Sequence, residues 1–270
     1  MNKRLFLYFD GGLGDVIHRL YGDENFNSIS LYDEVHVLMA SHNPFAYELF
    51  ALHPCAERIR IFHAGHTYLE FWKKGLRNQA MVEAICKFYQ FPIPPESGIS
   101  SPCQIDFTPG PDFDGWIEKP FSLVSGEAGS SMKSFCFELM FDVCEMLTHI
   151  LPTNNMIGFC RHYPRMLQDS NFAGIRTSGN LAFIQPATVP TSFHIAQAAS
   201  IHISCHSSLA QLTGFSNIPT FIIHPNSSDF NPENFGKGYT HFYNRPIHHG
   251  HATFGNYERK LFDFLTFHQI

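Results

Sequence analysis

Several protein classes are disfavoured by what the sequence lacks. No Cys-x-x-Cys pair occurs among the seven cysteines (Cys55, Cys86, Cys103, Cys136, Cys144, Cys160 and Cys205), and their number is odd. Both a disulfide framework and a zinc ribbon are therefore disfavoured, and a reducing compartment is expected. No stretch approaches the roughly 20 apolar residues of a membrane span. The opening ten residues, Met1 to Asp10, hold only a short apolar run, too little for a secretory signal. A soluble, cytoplasmic protein is expected. Positive charge is also in short supply, with 18 Lys and Arg against 24 Asp and Glu and a formal net charge of −6. That leaves no basic footprint for general nucleic-acid binding or for an anionic membrane, although a local basic site stays open. Tryptophan is scarce, at 2 residues, and 28 Phe carry most of the aromatic content, which points to a Phe-filled core. Apolar residues make up 44% and charged residues 16% of the 270, a globular composition with room for one large domain or two small ones.

What is present is an alternation of strands and helices. Leu5 to Phe9 forms an apolar run that ends at Asp10-Gly11-Gly12-Leu13-Gly14-Asp15, with a helix expected from Val16. Glu34 to Ala40 and Arg58 to Phe62 read as further strands, and a helix fits Phe45 to Leu52 between them. Tyr68 to Tyr89 has near-helical apolar spacing throughout and is expected as one long helix, stopped by Pro92, Pro94 and Pro95. The turn-rich segment Pro109 to Gly115 is the candidate boundary, giving domains 1–118 and 119–270. After it the alternation resumes, with strands expected at Phe121–Val124, Met156–Cys160, Leu181–Ile184, Ile201–Ser204 and Thr220–His224. Helices are expected up to about Leu151, near Ser192–Ala199, after Cys205-His206-Ser207-Ser208 through Thr213 and over Phe254–Phe267. No internal repeat occurs. The pattern implies an α/β protein of two Rossmann-like halves, each with a parallel sheet, facing across a cleft.

Three strand-to-helix turns carry residues suited to chemistry. In the first, Gly12 and Gly14 let a ligand approach the backbone, and Asp15 follows as a candidate general base or a plain helix cap. The turn is not the dinucleotide fingerprint, because Ile17 replaces the third glycine, and no Gly-Lys-Ser/Thr follows to make a Walker A loop. In the second, Glu127 to Lys133, the small residues Ser130 and Ser131 and the single charge of Lys133 suit a phosphate. The third, Cys205-His206-Ser207-Ser208, offers main-chain N–H groups and two hydroxyls to an anion. His248-His249-Gly250-His251 has no acid or Cys partner at ligand spacing and reads as a solvated loop, so no metal is expected. Ser207 lacks the Gly-x-Ser-x-Gly setting of a hydrolase nucleophile, and Cys205 is disfavoured as one because adjacent residues such as His206 rarely face each other.

Taken together, the early Gly12-Leu13-Gly14-Asp15-Val16-Ile17, the mid-chain loop with Lys133 and the late segment Cys205 to Gly214 with Pro219 resemble the heptosyltransferase-type glycosyltransferases, glycosyltransferase family 9. In the late motif Ser207, Leu212, Gly214 and Pro219 fit, while His206, Ser208 and Gln211 stand where the family carries Asp, Gly and His. The resemblance implies the GT-B fold, a nucleotide-diphosphate sugar as donor and a hydroxyl acceptor such as a glycan or lipid-linked glycan. It implies that Asp15 takes the acceptor proton in an inverting displacement, with Lys133, Ser130, Ser131, His206, Ser207 and Ser208 around the donor phosphates and Gly12 and Gly14 on the acceptor-side loop. No cofactor or metal is implied. Many members work at the inner face of a membrane, which would make the protein peripheral there. No strong basic amphipathic helix supports such contact, and Tyr68 to Trp72, a faint candidate surface for it, reads better as core. A second class stays open on the residues alone: a non-catalytic nucleotide- or sugar-binding or structural protein of the same fold. The changed late motif favours that class, and Gly14-Asp15 with Lys133 disfavours it.

Overall fold

A computed structural model of the chain describes residues 3–22, 29–41, 43, 46–94, 120–128, 134–151, 155–159, 181–184, 189–215, 218–224 and 249–270. The chain divides into two compact units, Met1–Pro109 and Gly110–Ile270. The expected boundary between residues 118 and 119 lies outside the described residues.

In the first unit, β1 (Arg4–Gly11), β2 (Glu34–Ser41) and β3 (Ile59–His63) form a parallel sheet in the order β1-β2-β3. Arg4 lies opposite Glu34, and Val35 opposite Ile59. Helix α1 (Leu13–Gly22) follows β1, and a single turn, α2 (Glu48–Ala51), stands where a helix over 45–52 was expected. Alternate strand residues bury opposite faces. Tyr8, Leu38 and Ala40 pack with Met81, Val82 and Ile85 on one face, whereas Phe9 meets Phe50 on the other, ring centroids 5.3 Å apart.

The long helix expected over Tyr68–Tyr89 is two helices, α3 (Gly65–Lys73) and α4 (Asn78–Phe88). Gly75, at φ +87°, ends the first of them. Its N–H donates to the Trp72 carbonyl and the Leu76 N–H to that of Phe71, the two reverse bonds of a Schellman cap. Leu76 and Phe71 then pack on the same core cluster, so the apolar spacing runs through the break although the helix does not.

In the second unit the described residues form six parallel strands: β4 (Phe121–Ser125), β5 (Asn155–Phe159), β6 (Leu181–Ile184), β7 (Ile201–Ser204), β8 (Thr220–His224) and β9 (His249–Thr253). Their order, β6-β5-β4-β7-β8-β9, is the 3-2-1-4-5-6 arrangement of a doubly wound sheet. Helices α5 (Phe137–Ile150) and α8 (Tyr257–Phe267) cover one face through Val143, Leu147, Leu261 and Leu265. Helix α6 (Val189–Ala198) covers the other through Ile195 and Ala196, beside Phe121, Leu123 and Ile157. Helix α7 (Ser208–Phe215) links β7 to β8. The expected solvated loop at His248–His251 is corrected by this topology: residues 249–253 form the edge strand β9, which pairs Ile222 with His251. His248 lies outside the described residues.

A Cβ placed on Gly75 would meet no atom within 4 Å, so only its left-handed backbone resists substitution. We expect Gly75→Ala to cost about 1–2 kcal/mol in urea unfolding, and Gly75→Asn, which tolerates that conformation, to cost less. Equal stability of all three proteins would show that the cap does not end α3.

Candidate functional site

Each unit presents a strand-to-helix turn at the carboxyl edge of its sheet. In the first, α1 begins at Leu13 rather than at the expected Val16, which places Asp15 inside the first helical turn. Its Oδ2 accepts the Gly12 N–H at 2.7 Å, the reach-back of a third-position acid to the residue before the helix. Gly11 has φ +90°, and a Cβ there would lie 2.6 Å from Asp15 Oδ2, so the turn closes only around glycine. The Ser41 hydroxyl at the end of β2 donates to the Gly11 carbonyl at 2.7 Å and ties the two strand ends together. Asp15 is exposed. It is thus a helix cap with its carboxylate at the surface, and capping occupies only one oxygen. Burial first, then the nearby Asp10 and Asp15 charges, push the Tyr68 phenol of α3 above its ordinary value. Trp72 is 45% exposed and pairs with Tyr68 at 5.9 Å, and the Arg77 guanidinium lies 3.6 Å from its ring centroid. The segment Tyr68–Trp72 is therefore mixed, with Tyr68 and Phe71 against the core and Leu69 and Trp72 outside.

In the second unit, the turn after β4 is described through Ala128 and again from Ser134, whose hydroxyl accepts the Ala128 N–H at 2.9 Å. Ser130, Ser131 and Lys133 lie outside the described residues. The turn after β7 is described in full. Cys205, His206 and Ser207 are all buried, and the His206 ring stands 6.5 Å from that of His224. Ser207 Oγ accepts the Ala210 N–H at 3.2 Å, which makes Ser207 the N-cap of α7, and Ser208 opens the helix. Gln211, one turn on, has a buried Oε1 that accepts no hydrogen bond from the described residues.

Beneath this turn runs a buried polar chain that the sequence reading missed. Thr220 Oγ1 lies 3.0 Å from Thr213 Oγ1, which lies 2.9 Å from His202 Nδ1. His202 Nε2 meets Ser125 Oγ at 2.6 Å, Ser125 Oγ meets Ser204 Oγ at 2.9 Å, and Ser204 Oγ meets Ser207 Oγ at 3.1 Å. Ser125 and Ser204 end β4 and β7, the two strands at which the order of the sheet reverses. One signal could have found the chain. Ile201-His202-Ile203-Ser204 alternates like a strand with one solvated face, yet β7 is central and all four residues are buried. A polar residue in such a strand has to find its partners inside the protein. Full burial drives the His202 pKa down from 6.5 to about 3, so the ring is neutral.

Among the described residues no three of His, Cys, Asp and Glu gather as a metal site, and no helix is long and apolar enough to cross a membrane. No protein-family model matches the chain, and no curated protein matches it in sequence. Solved structures do match in fold over its whole length. A glycosyltransferase family 9 protein from Veillonella parvula superposes with TM-score 0.63 at 10% identity, covering 99% of this chain and 97% of that one. The E. coli heptosyltransferase WaaC with ADP gives 0.61 at 10% identity, over 98% and 99%. The E. coli ADP-heptose lipopolysaccharide heptosyltransferase II gives 0.59 at 10%, over 99% and 100%. The chain has the fold of the heptosyltransferase-type GT-B glycosyltransferases.

Because the folded ring stays neutral to about pH 3 while the unfolded ring protonates near 6.5, the unfolded chain binds more protons between those values. The stability held by the neutral ring is therefore complete above pH 6.5 and is lost as pH falls towards 3, by at most about 1.4 kcal/mol per pH unit. His202→Gln, which has no proton to gain, is expected to flatten the acid side of a stability–pH curve by about one proton. An unchanged slope would show that the ring is not held neutral.

Proposed function

We propose that the protein is a glycosyltransferase that moves a sugar from a nucleotide-diphosphate sugar to an acceptor hydroxyl with inversion and without a metal. The observation that carries this is the position of the β7–α7 turn. It lies at the reversal point of a doubly wound sheet, where such folds bind their ligands outside the strand ends, on a chain whose fold matches heptosyltransferases from end to end. In this reading the donor diphosphate lies at the N-terminus of α7, near His206, Ser207 and Ser208. The first N–H groups of the helix and its dipole offset the charge that develops on the leaving group. Lys133, Ser130 and Ser131 complete the phosphate site. The buried Gln211 Oε1, costly to leave without a donor, suits a hydroxyl of the ribose or the transferred sugar. On the acceptor side Asp15 keeps one oxygen free of its capping bond, and that oxygen takes the acceptor proton as the acceptor oxygen attacks the anomeric carbon. Gly12 and Gly14 keep side chains out of the acceptor's way.

One feature supports a non-catalytic nucleotide- or sugar-binding protein instead. Asp15 already has a structural task as the α1 cap, which accounts for its presence without chemistry. Asp15→Asn separates the two. An Asn oxygen still accepts the Gly12 N–H, so stability is expected to stay near wild type, while turnover falls by about 10²–10⁴ for a lost general base. Turnover unchanged in the variant removes Asp15 from the mechanism.

Thermal-shift titration with nucleoside diphosphates and their sugars, without metal, identifies the donor class. Lys133→Ala is expected to weaken the bound nucleotide about 10- to 100-fold, the range for a lost hydrogen bond to a charged group. Equal affinity in the variant counts against Lys133. No stabilisation of the wild type by any member of the panel counts against the donor site as a whole.

A further inference from the structure

We infer that His202 is a positioning residue whose tautomer decides whether the Ser207 hydroxyl points into the protein or out towards a bound diphosphate oxygen. The inference rests on the reading of the β7–α7 turn as the diphosphate site. Its basis is the unbroken run of short contacts from Thr220 through Thr213, His202, Ser125 and Ser204 to Ser207, every member of which is buried. A neutral imidazole at the centre of such a run carries one N–H, so it donates at one end and accepts at the other.

Two proton arrangements satisfy the chain. In the first, Nδ1–H donates to Thr213 Oγ1, and the Thr213 hydroxyl donates to the carbonyls of Leu209 and Ala210, 3.2 and 3.1 Å away. Nε2 then accepts the Ser125 hydroxyl, and the Ser204 hydroxyl donates to the Ser125 carbonyl at 2.9 Å. Ser125 has no second proton to give, so the buried Ser204 Oγ takes its donor from Ser207. Ser207, which already accepts the Ala210 N–H, is held with its proton inward.

In the second arrangement the Thr213 hydroxyl donates to Nδ1, and Nε2–H donates to Ser125 Oγ. The Ser125 hydroxyl is thereby released to serve Ser204 Oγ, and Ser207 is free to turn its proton outward. No proton is gained or lost between the two. The carbonyls that lose the Thr213 hydroxyl lie within α7, where the helix ladder already serves them. An anionic oxygen at the turn draws the Ser207 proton outward. It therefore favours the second arrangement, in which Ser125 Oγ accepts from His202 Nε2–H, Ser204 Oγ from the Ser125 hydroxyl and Ser207 Oγ from the Ala210 N–H.

Nitrogen-15 NMR of the imidazole distinguishes Nδ1–H from Nε2–H in the intact protein. The His202 signals are those displaced by Thr213→Val. Adding saturating ADP, GDP, UDP or CDP, whichever stabilises the protein, is expected to shift the His202 population towards Nε2–H, and the Ser207→Ala variant is expected to show no shift. Thr213→Val supplies a second readout. Valine keeps the shape but gives Nδ1–H no acceptor, which favours Nε2–H before the ligand arrives. The variant is then expected to bind the nucleotide about three- to tenfold more tightly, because the competent tautomer no longer has to be drawn from a minority. A purely structural Thr213 would leave affinity equal or weaker, and that result overturns the inference. Binding with an unchanged tautomer ratio also overturns it, while leaving the diphosphate site standing. No binding by any of the four nucleotides overturns both.

Discussion

The second unit depends on keeping one imidazole neutral inside a sheet. His202 is fully buried in a central strand, and among the described residues no carboxylate pairs with it, so a charge there would be unsupported and the ring is satisfied by hydroxyls. That requirement recruits Ser125 from β4, Ser204 from its own strand and Thr213 from α7. The bonds tie the two strands flanking the reversal point to each other and to the helix above them. Replacing these residues by apolar ones of similar shape would suit an ordinary core equally well.

The two strand-to-helix turns use their polar residues in different ways. In the first unit a carboxylate is brought back onto the turn that precedes its helix and stays at the surface, closed around two glycines. In the second, the cap is a buried serine with its hydroxyl wired inward to Ser204. One turn is built around a fixed negative charge and the other around main-chain donors and neutral hydroxyls. That contrast suits a proton acceptor in the first unit and an anion in the second.

The likeness to heptosyltransferases holds at about 10% identity because the fold constrains burial pattern more than residue identity. In β4, β7 and β8 every residue is buried, and any well-packed set of apolar and internally satisfied polar side chains meets that condition. The replacements at His206, Ser208 and Gln211 fall on the turn and the first turns of α7, outside the strands that define the sheet.

Much of the architecture was legible along the chain because its causes are local. Apolar runs such as Phe221-Ile222-Ile223 bounded by turn residues mark strands, and the alternation of strands with helices leaves a parallel sheet as the way to bury both faces. The first and third candidate turns were legible for the same reason, since glycines and small polar residues at a strand end announce themselves within a few positions. The break at Gly75 was not, because the apolar spacing of Tyr68–Tyr89 continues across it while a single left-handed residue turns the backbone. Nor was β9, whose His-rich composition conceals a strand that exists by pairing with β8. The hydroxyl chain was beyond reach, because Ser125 and His202 stand 77 residues apart and nothing near either one specifies the other. Local pattern therefore determined most of the strands and helices and the glycine- and serine-bearing turns between them. Only the tertiary structure, by setting β4 beside β7, decided that the β7–α7 turn rests on a buried line of hydrogen bonds through a neutral imidazole.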